Sequence, residues 1–119
     1  MSAADADWAE ANQRYLAAVL DRLKLAVGRV AGHDAAPPAQ APQALAAAMG
    51  RPPALLTLAR AFGLSAFEGD LLALCAGVEL DGALAALVGR AQGDPRAVAP
   101  TFSLAVAALP GAHWSALAP

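Results

Sequence analysis

Residues 55–80, LLTLARAFGLSAFEGDLLALCAGVEL, constrain the fold more than any other part of this sequence. Apolar residues recur there at spacings of three and four, which places each set on one face of a helix. The first set is Leu55, Leu58, Ala59 and Phe62, and the second is Phe67, Leu71, Leu74, Cys75 and Val78. The pattern predicts two helices whose apolar faces both point into the core.

Three residues specify the turn between these two helices. Gly63 can adopt the left-handed backbone conformation that ends a helix. Ser65 and Glu68 have the S-x-x-E spacing of a capping box, in which each side chain accepts a hydrogen bond from the other residue's backbone N–H. We therefore predict that the second helix starts directly after Ser65.

The composition indicates a mainly α, compact multi-helix domain with at most a very small β-hairpin, for which only residues 93–101 offer room. Of the 119 residues 58% are apolar, and many of these are alanine, a strong helix former. A chain of this length can bury a core without disulfides or metals. We expect one helical domain over residues 1–119, with a long N-terminal helix at about 6–31, a Pro/Ala-rich loop at about 32–42 and a helical core at about 43–119.

Capping residues and apolar stripes locate the remaining helices. Asp5 and Asp7 are candidate caps of the first helix, and Asp81 is the candidate N-cap of a helix that continues to Gln92. Thr101 opens the last helix. The apolar stripe of the first helix is Trp8, Tyr15, Val19, Leu23, Val27 and Val30, and that of the last helix is Phe102, Ala105, Val106 and Leu109.

Charge and cysteine content limit the partners and the compartment. The net charge is -2, so the chain has no basic field to attract a nucleic acid or an acidic membrane surface. The single cysteine, Cys75, excludes an internal disulfide and is compatible with a reducing compartment. The first residues, MSAADADWAE, carry acids where a signal peptide has a basic region. We expect a cytoplasmic protein.

Residues 97–119 contain no Asp, Glu, Lys or Arg, and the segment is about as long as a membrane-spanning helix. Pro100, Pro110 and Gly111 interrupt it, which leaves an apolar helix of roughly ten residues. We interpret that helix as part of the core and expect no contact with a membrane.

The sequence contains no catalytic, cofactor-binding or metal-binding motif. The only lysine, Lys24, lies within the first predicted helix and has no G-x-x-x-x-G-K pattern near it. Cys75, His33 and His113 lack the spacing of metal ligands. Cys75 stands on an apolar helix face, which predicts a small buried side chain. We expect no enzyme activity and no cofactor in this chain.

His113 and Trp114 are a neighbouring aromatic pair near the C-terminal end of the sequence. Two interpretations stay open: the pair closes the end of the core, or it contacts a neighbouring domain or subunit. The second interpretation makes His113 and Trp114 the candidate partner contacts. Ser65, Glu68 and Asp81 are predicted to have the structural role of helix caps.

Two helices joined by a short turn with a glycine also form the plan of a DNA-binding helix-turn-helix. In that plan the second helix presents donors to base edges and phosphates. Residues 66–78 contain no Arg, Lys, Asn or Gln, and the two charges among them are acidic. We therefore expect no binding to nucleic acid, although a nucleic-acid module stays the alternative to a protein-binding one.

The segment LARAFGLSAFEGDLLALCAGVELD resembles the N-terminal region of the bacterial AAA+ ATPases found with extracellular contractile injection systems, the phage-tail-like particles. In that family a run close to F-G-L-S-P-F-E-R-D-L-L-L-L-C precedes an acidic-leucine-aspartate element. The later segments PTF and PGAHWSALAP resemble the family as well, so that the resemblance covers about residues 8–119. Two positions depart from the family pattern: Ala66 is found where the family usually has proline, and Gly69 where it usually has arginine.

This resemblance implies a variant winged-helix fold that serves as the recognition or docking domain of a hexameric ATPase. The family's ATPase module would lie beyond Pro119, and ATP and Mg²⁺ are expected only there. The implied partner is a protein, either a component of the injection particle or the rest of the same ATPase. A free-standing protein-interaction adaptor is the other alternative.

Overall fold

Helices and loops make up the described part of the chain. The structure is a computed structural model, and it describes residues 2–33, 37 and 39–110. Within these residues the chain forms six helices and no strand, so the predicted mainly α fold is confirmed. Residues 93–101 form a loop rather than a hairpin. The helices are α1 (Ala3–Val30), α2 (Pro42–Ala47), α3 (Ala54–Ala61), α4 (Ala66–Leu80), α5 (Gly82–Ala91) and α6 (Phe102–Ala108).

Helix α1 begins earlier than the predicted position. Its N-cap is Ser2, whose hydroxyl accepts the N–H of Asp5, while the Asp5 carboxylate accepts the N–H of Ser2. Asp5 is therefore the second member of a capping box and not the N-cap, and Asp7 takes no part in the cap. The prediction missed this box because it overlooked the spacing of three residues between Ser2 and Asp5.

The core side of α1 is mostly the predicted one. Tyr15, Val19, Leu23 and Val27 are buried. Trp8 is only half-buried, and Val30 is exposed at the last position of the helix. These two ends of the stripe extend beyond the part of α1 that the other helices cover.

Helices α1, α4 and α5 meet closely at Gly77. A Cβ atom added there would lie 2.7 Å from a methyl carbon of Leu20 and 2.7 Å from one of Leu84. Because only glycine leaves room for this approach, Leu74 of α4 and Leu84 of α5 can both be completely buried against α1. Helix α6 completes the core with Leu104, Ala105 and Leu109.

The turn between α3 and α4 has the predicted structure. Gly63 has a φ of 62°, and its N–H donates to the carbonyl of Arg60 while the N–H of Leu64 donates to the carbonyl of Ala59. These are the two hydrogen bonds of a Schellman motif. Helix α4 then begins at Ala66, directly after Ser65.

The predicted core faces of α3 and α4 are partly wrong. Helix α3 contains no buried residue: Leu55 and Ala59 are half-buried, whereas Leu58 and Phe62 are exposed. The apolar face of α3 is wide, and the neighbouring helices cover only one edge of it. On α4, Cys75 is exposed rather than buried, because the helix turns Ala73, Leu74 and Gly77 toward α1 and α5. Phe67 is buried, and Leu71 and Val78 are half-buried.

The loop between α5 and α6 is organised by one side chain. The Gln92 amide nitrogen donates to the carbonyls of Ala97 (2.6 Å) and Ala99 (3.0 Å). Its amide oxygen accepts the N–H of Thr101 at 2.8 Å. These three hydrogen bonds hold the loop in one conformation without a strand.

Helix α6 faces the core with a different side from the predicted one. Thr101 is its N-cap, as expected, and Ala105 and Leu109 are buried. Phe102 and Val106 are exposed, and Leu104 takes their place in the core. The ring of Phe102 meets that of Phe67 edge to face at 6.3 Å, a contact at the rim of the core.

None of the described helices is by itself both long and apolar enough to cross a bilayer. Helices α4 and α5 reach that length and apolar character only as a pair, and the pair is bent by 114°.

Candidate protein-interaction site

The predicted capping box at the start of α4 is present. Ser65 Oγ accepts the N–H of Glu68 at 3.1 Å, and the Glu68 carboxylate accepts the N–H of Ser65 at 2.9 Å. The hydrogen bond from the Ser65 backbone lowers the pKa of Glu68 below its ordinary value. Both side chains are thus engaged in fixing the turn between α3 and α4.

Asp81 has two structural contacts, of which the sequence indicated one. Its Oδ1 accepts the N–H groups of Ala83 (2.9 Å) and Leu84 (3.3 Å) and so caps α5. Its Oδ2 lies 2.6 Å from Lys24 Nζ on α1. The hydrogen bond between them lowers the pKa of Asp81 and raises that of Lys24. No local sequence pattern indicates this second contact, because Lys24 and Asp81 are 57 positions apart in the chain.

His113 and Trp114, the predicted partner contacts, lie outside the described residues. Their role stays a prediction. The surface of the described residues therefore has to supply any candidate site.

The outer side of α3 is an exposed apolar surface. Ala54, Leu58, Ala61 and Phe62 follow one another at helical spacing and are all exposed, with Phe62 at 72% and Leu58 at 40%. We call these four residues the α3 surface. No charged residue lies among them, and Phe62 stands at the end of the helix, directly before the turn into α4.

A groove of about 280 Å³ separates α3 from its neighbours. The groove lies between α1, α3 and α4, and we call it the α1–α3–α4 groove. Its apolar wall includes Leu55 and Ala59 of α3, and its polar wall includes Tyr15, Arg22 and Asp70. Arg22 and Asp70 form a bidentate ion pair with distances of 2.7 and 3.3 Å.

Helix α3, its glycine turn and α4 have the arrangement of a helix-turn-helix on a helical core. The family model described as a variant winged helix domain matches residues 4–112. This chain belongs to that family. The comparisons with curated proteins and with solved structures gave no match. Membership in this family suggests a module that binds either nucleic acid or protein.

In this winged helix domain, α4 has the position of a recognition helix but not the chemistry to read DNA. It carries Glu68, Asp70 and Glu79 and has no Arg, Lys, Asn or Gln. Its exposed positions also include Cys75 and Leu80. Phosphates would be repelled by this face, because DNA binding depends on cationic contacts to the backbone.

Polar side chains of α1 hold the start of α3 in place. The indole N–H of Trp8 donates to the carbonyl of Pro52 at 3.1 Å, and Asn12 Oδ1 accepts the N–H of Ala54 at 2.9 Å. The guanidinium of Arg51 lies over the Trp8 ring at 4.3 Å. These contacts position the α3 surface of the winged helix domain, and no local sequence pattern indicated them because their partners are more than 40 residues apart.

Metal ligation has no support in the described part of the winged helix domain. No group of three or more His, Cys, Asp and Glu side chains is placed there to hold an ion. The ionisable groups that do cluster are the ion pairs of Arg22 with Asp70 and of Lys24 with Asp81, which connect α1 to α4 and to the cap of α5.

Proposed function

We propose that this winged helix domain is a non-catalytic recognition domain that binds a protein through the α3 surface. The observation that carries the proposal is the exposure of Leu58 and Phe62 on a helix of the helix-turn-helix. An amphipathic helix in a monomeric domain turns such residues inward. On α3 the apolar face is wider than the area that the neighbouring helices cover, so Leu58 and Phe62 remain exposed to solvent.

The energetics favour a protein partner for this surface. Fully burying a Leu or Phe side chain contributes about 1.5–3 kcal/mol, and aromatic side chains are enriched among the residues that dominate binding energy. Phe62 has most of its area still available for burial. Binding to DNA would gain nothing from it, because the neighbouring exposed charges of α4 are acidic.

The resemblance to the ATPases of contractile injection systems supplies the biological context of the proposal. In that context the domain would recognise a component of the injection particle or the rest of its own ATPase, in the cytoplasm and as part of a hexamer. ATP and Mg²⁺ would bind to the ATPase module and not to this domain. The recognition domain would then select the target of the ATPase, while ATP hydrolysis would take place in the separate ATPase module.

A binding experiment with single substitutions tests the α3 surface. Purified components of an injection particle are passed one at a time over the immobilised domain, and over Phe62→Asp and Leu58→Asp. We expect one component to bind and either substitution to weaken it at least about tenfold, because each places a charge in an apolar contact. Val106→Asp on α6 is the matched control, since Val106 and Leu58 are equally exposed at 40%.

Two results would overturn the proposal. One is binding that Phe62→Asp and Leu58→Asp leave unchanged, which would place the interface elsewhere. The other is salt-sensitive binding of a DNA duplex in fluorescence anisotropy, which would favour the nucleic-acid alternative. If a partner binds but has no connection with injection particles, the recognition role stands and the context is wrong.

A further inference from the structure

The α1–α3–α4 groove has the size of a receptor for one or two side chains. Its volume of about 280 Å³ lies just below the range of about 300–1,000 Å³ that ligand pockets occupy. A helix does not fit into it, whereas the side chain of an extended peptide does. Leu55 and Ala59 provide an apolar wall on α3, on the side of that helix next to the α3 surface.

Tyr15 gives the groove a hydrogen-bond donor. The residue is only 6% exposed and lines the groove, and its hydroxyl makes no hydrogen bond to the described residues. The hydroxyl oxygen is not sealed from solvent, unlike the unpartnered Arg22 Nε, so a ligand in the groove can reach it. Burial raises the pKa of this hydroxyl, with Arg22 opposing the shift and Asp70 adding to it. It is therefore a neutral donor that lacks an acceptor.

The charges around the groove favour an acceptor that carries negative charge. Asp70 has both oxygens engaged by Arg22, so the pair is close to neutral. Arg60 lines the groove as an exposed guanidinium that has no ion-pair partner in the described residues.

We propose that the α1–α3–α4 groove binds a short extended segment of the protein partner in which an apolar side chain stands next to a carboxylate. The apolar side chain packs on Leu55 and Ala59, and the carboxylate accepts from the Tyr15 hydroxyl and pairs with Arg60. This inference rests on the proposed function and names the chemistry of the partner. Because the groove wall and the α3 surface are adjacent sides of one helix, we propose that a single segment contacts both.

Short peptides test this chemistry without knowledge of the partner. The probes are the capped peptide Gly-Leu-Asp-Leu-Gly and its matched version with lysine in place of aspartate, each titrated into the ¹⁵N-labelled domain. We expect the aspartate peptide to shift the amide signals of Tyr15, Arg60 and Ala66, and to bind at least about tenfold more tightly than the lysine peptide. Equal binding of the two peptides, or binding of neither, would overturn the inference.

Variants of the domain separate this inference from the proposed function. Tyr15→Phe removes only the hydroxyl and should weaken the aspartate peptide about fivefold, and Arg60→Glu should weaken it about tenfold or more. Arg90→Glu on α5 is the control, because Arg90 is exposed and does not line the groove. Melting curves of each variant verify that the fold is retained.

The same variants are then measured against the injection-particle component. If Phe62→Asp abolishes its binding while Tyr15→Phe and Arg60→Glu have no effect, the groove inference fails and the proposed function stands. If none of the three has an effect, both fail. If all three weaken the component, both are supported.

Discussion

Helices α3 and α4 are joined by the four-residue turn 62–65, yet they relate to the core in opposite ways. Helix α4 buries Phe67, Leu74 and Gly77 and lies close to both α1 and α5. Helix α3 buries no residue, and hydrogen bonds from α1 hold its N-terminal end. The comparison shows how the domain divides its apolar residues: several of those on α4 are buried in the core, whereas Leu58 and Phe62 of α3 are exposed.

Replacing one leucine on each helix by alanine gives the strongest test of this difference between α3 and α4. Leu74→Ala on α4 should lower the free energy of unfolding by about 2–5 kcal/mol, because the side chain is fully buried and its removal leaves a cavity. Leu58→Ala on α3 should change it by less than about 1 kcal/mol, since Leu58 is exposed. Urea denaturation measures both, and equal losses would refute the division between the helices.

Two glycines of α4 offer a second test, which measures how closely α4 packs against α1 and α5. Gly77→Ala should destabilise the domain by about 1–3 kcal/mol, because the new methyl group meets Leu20 and Leu84 at 2.7 Å. Gly69→Ala should instead stabilise it by about 0.5–1 kcal/mol, since no atom lies within 4 Å and alanine favours the helix. Melting temperatures that shift in the same direction for both would contradict the close approach of α1, α4 and α5.

The cap of α5 should make stability depend on pH. Asp81→Ala should cost about 0.5–2 kcal/mol at neutral pH through the lost cap, and more through the lost partner of Lys24. The pKa of Asp81 is lower in the folded domain than in the unfolded chain. The stability that its carboxylate contributes is therefore fully present above the ordinary pKa and is lost as the pH falls through the folded-state pKa.

The pH profile can be measured with a matched variant. Asp81→Asn retains a capping oxygen but does not titrate, so its stability difference from the original domain should be constant near neutral pH and vanish in acid. At alkaline pH the pair depends on Lys24, whose pKa is raised in the folded domain. The stability that the pair contributes is lost as the pH rises through the folded-state pKa of this lysine. A difference that persists unchanged into strong acid would exclude this role for the carboxylate.

The smallest effect is expected at the turn that separates the two helices. Ser65→Ala removes one capping hydrogen bond and should lower the free energy of unfolding by about 1 kcal/mol without changing the fold. Ser103→Ala within α6 is a control for the loss of an exposed hydroxyl. An unchanged melting midpoint for Ser65→Ala would show that the capping box contributes nothing to the start of α4.

Local chemistry explains which parts of this structure the sequence predicts. The roles of Gly63, Ser65 with Glu68, and Asp81 depend on hydrogen bonds that reach two to five residues, so spacing alone indicates them. The prediction that Leu58, Phe62 and Cys75 point into the core was wrong, because all three are exposed. Periodicity finds the apolar side of a helix, but the neighbouring helices determine which edge of that side they cover.

The candidate site depended even more on distant contacts. Phe62 was visible in the sequence as an apolar residue, but its exposure follows from how Trp8 and Asn12 place α3. The α1–α3–α4 groove likewise combines Tyr15 and Arg22 of α1 with Arg60 and Asp70, which lie far along the chain. Such a combination exists only after folding, and residues taken in order give no signal of it.

Trp8 donates to the backbone carbonyl of Pro52, and Asn12 accepts the backbone N–H of Ala54. A backbone carbonyl or N–H is present whatever side chains the helix carries. Mutations along α3 can therefore accumulate without loosening its attachment to α1. The attachment fixes the backbone of α3 and leaves the chemistry of its exposed side chains unconstrained.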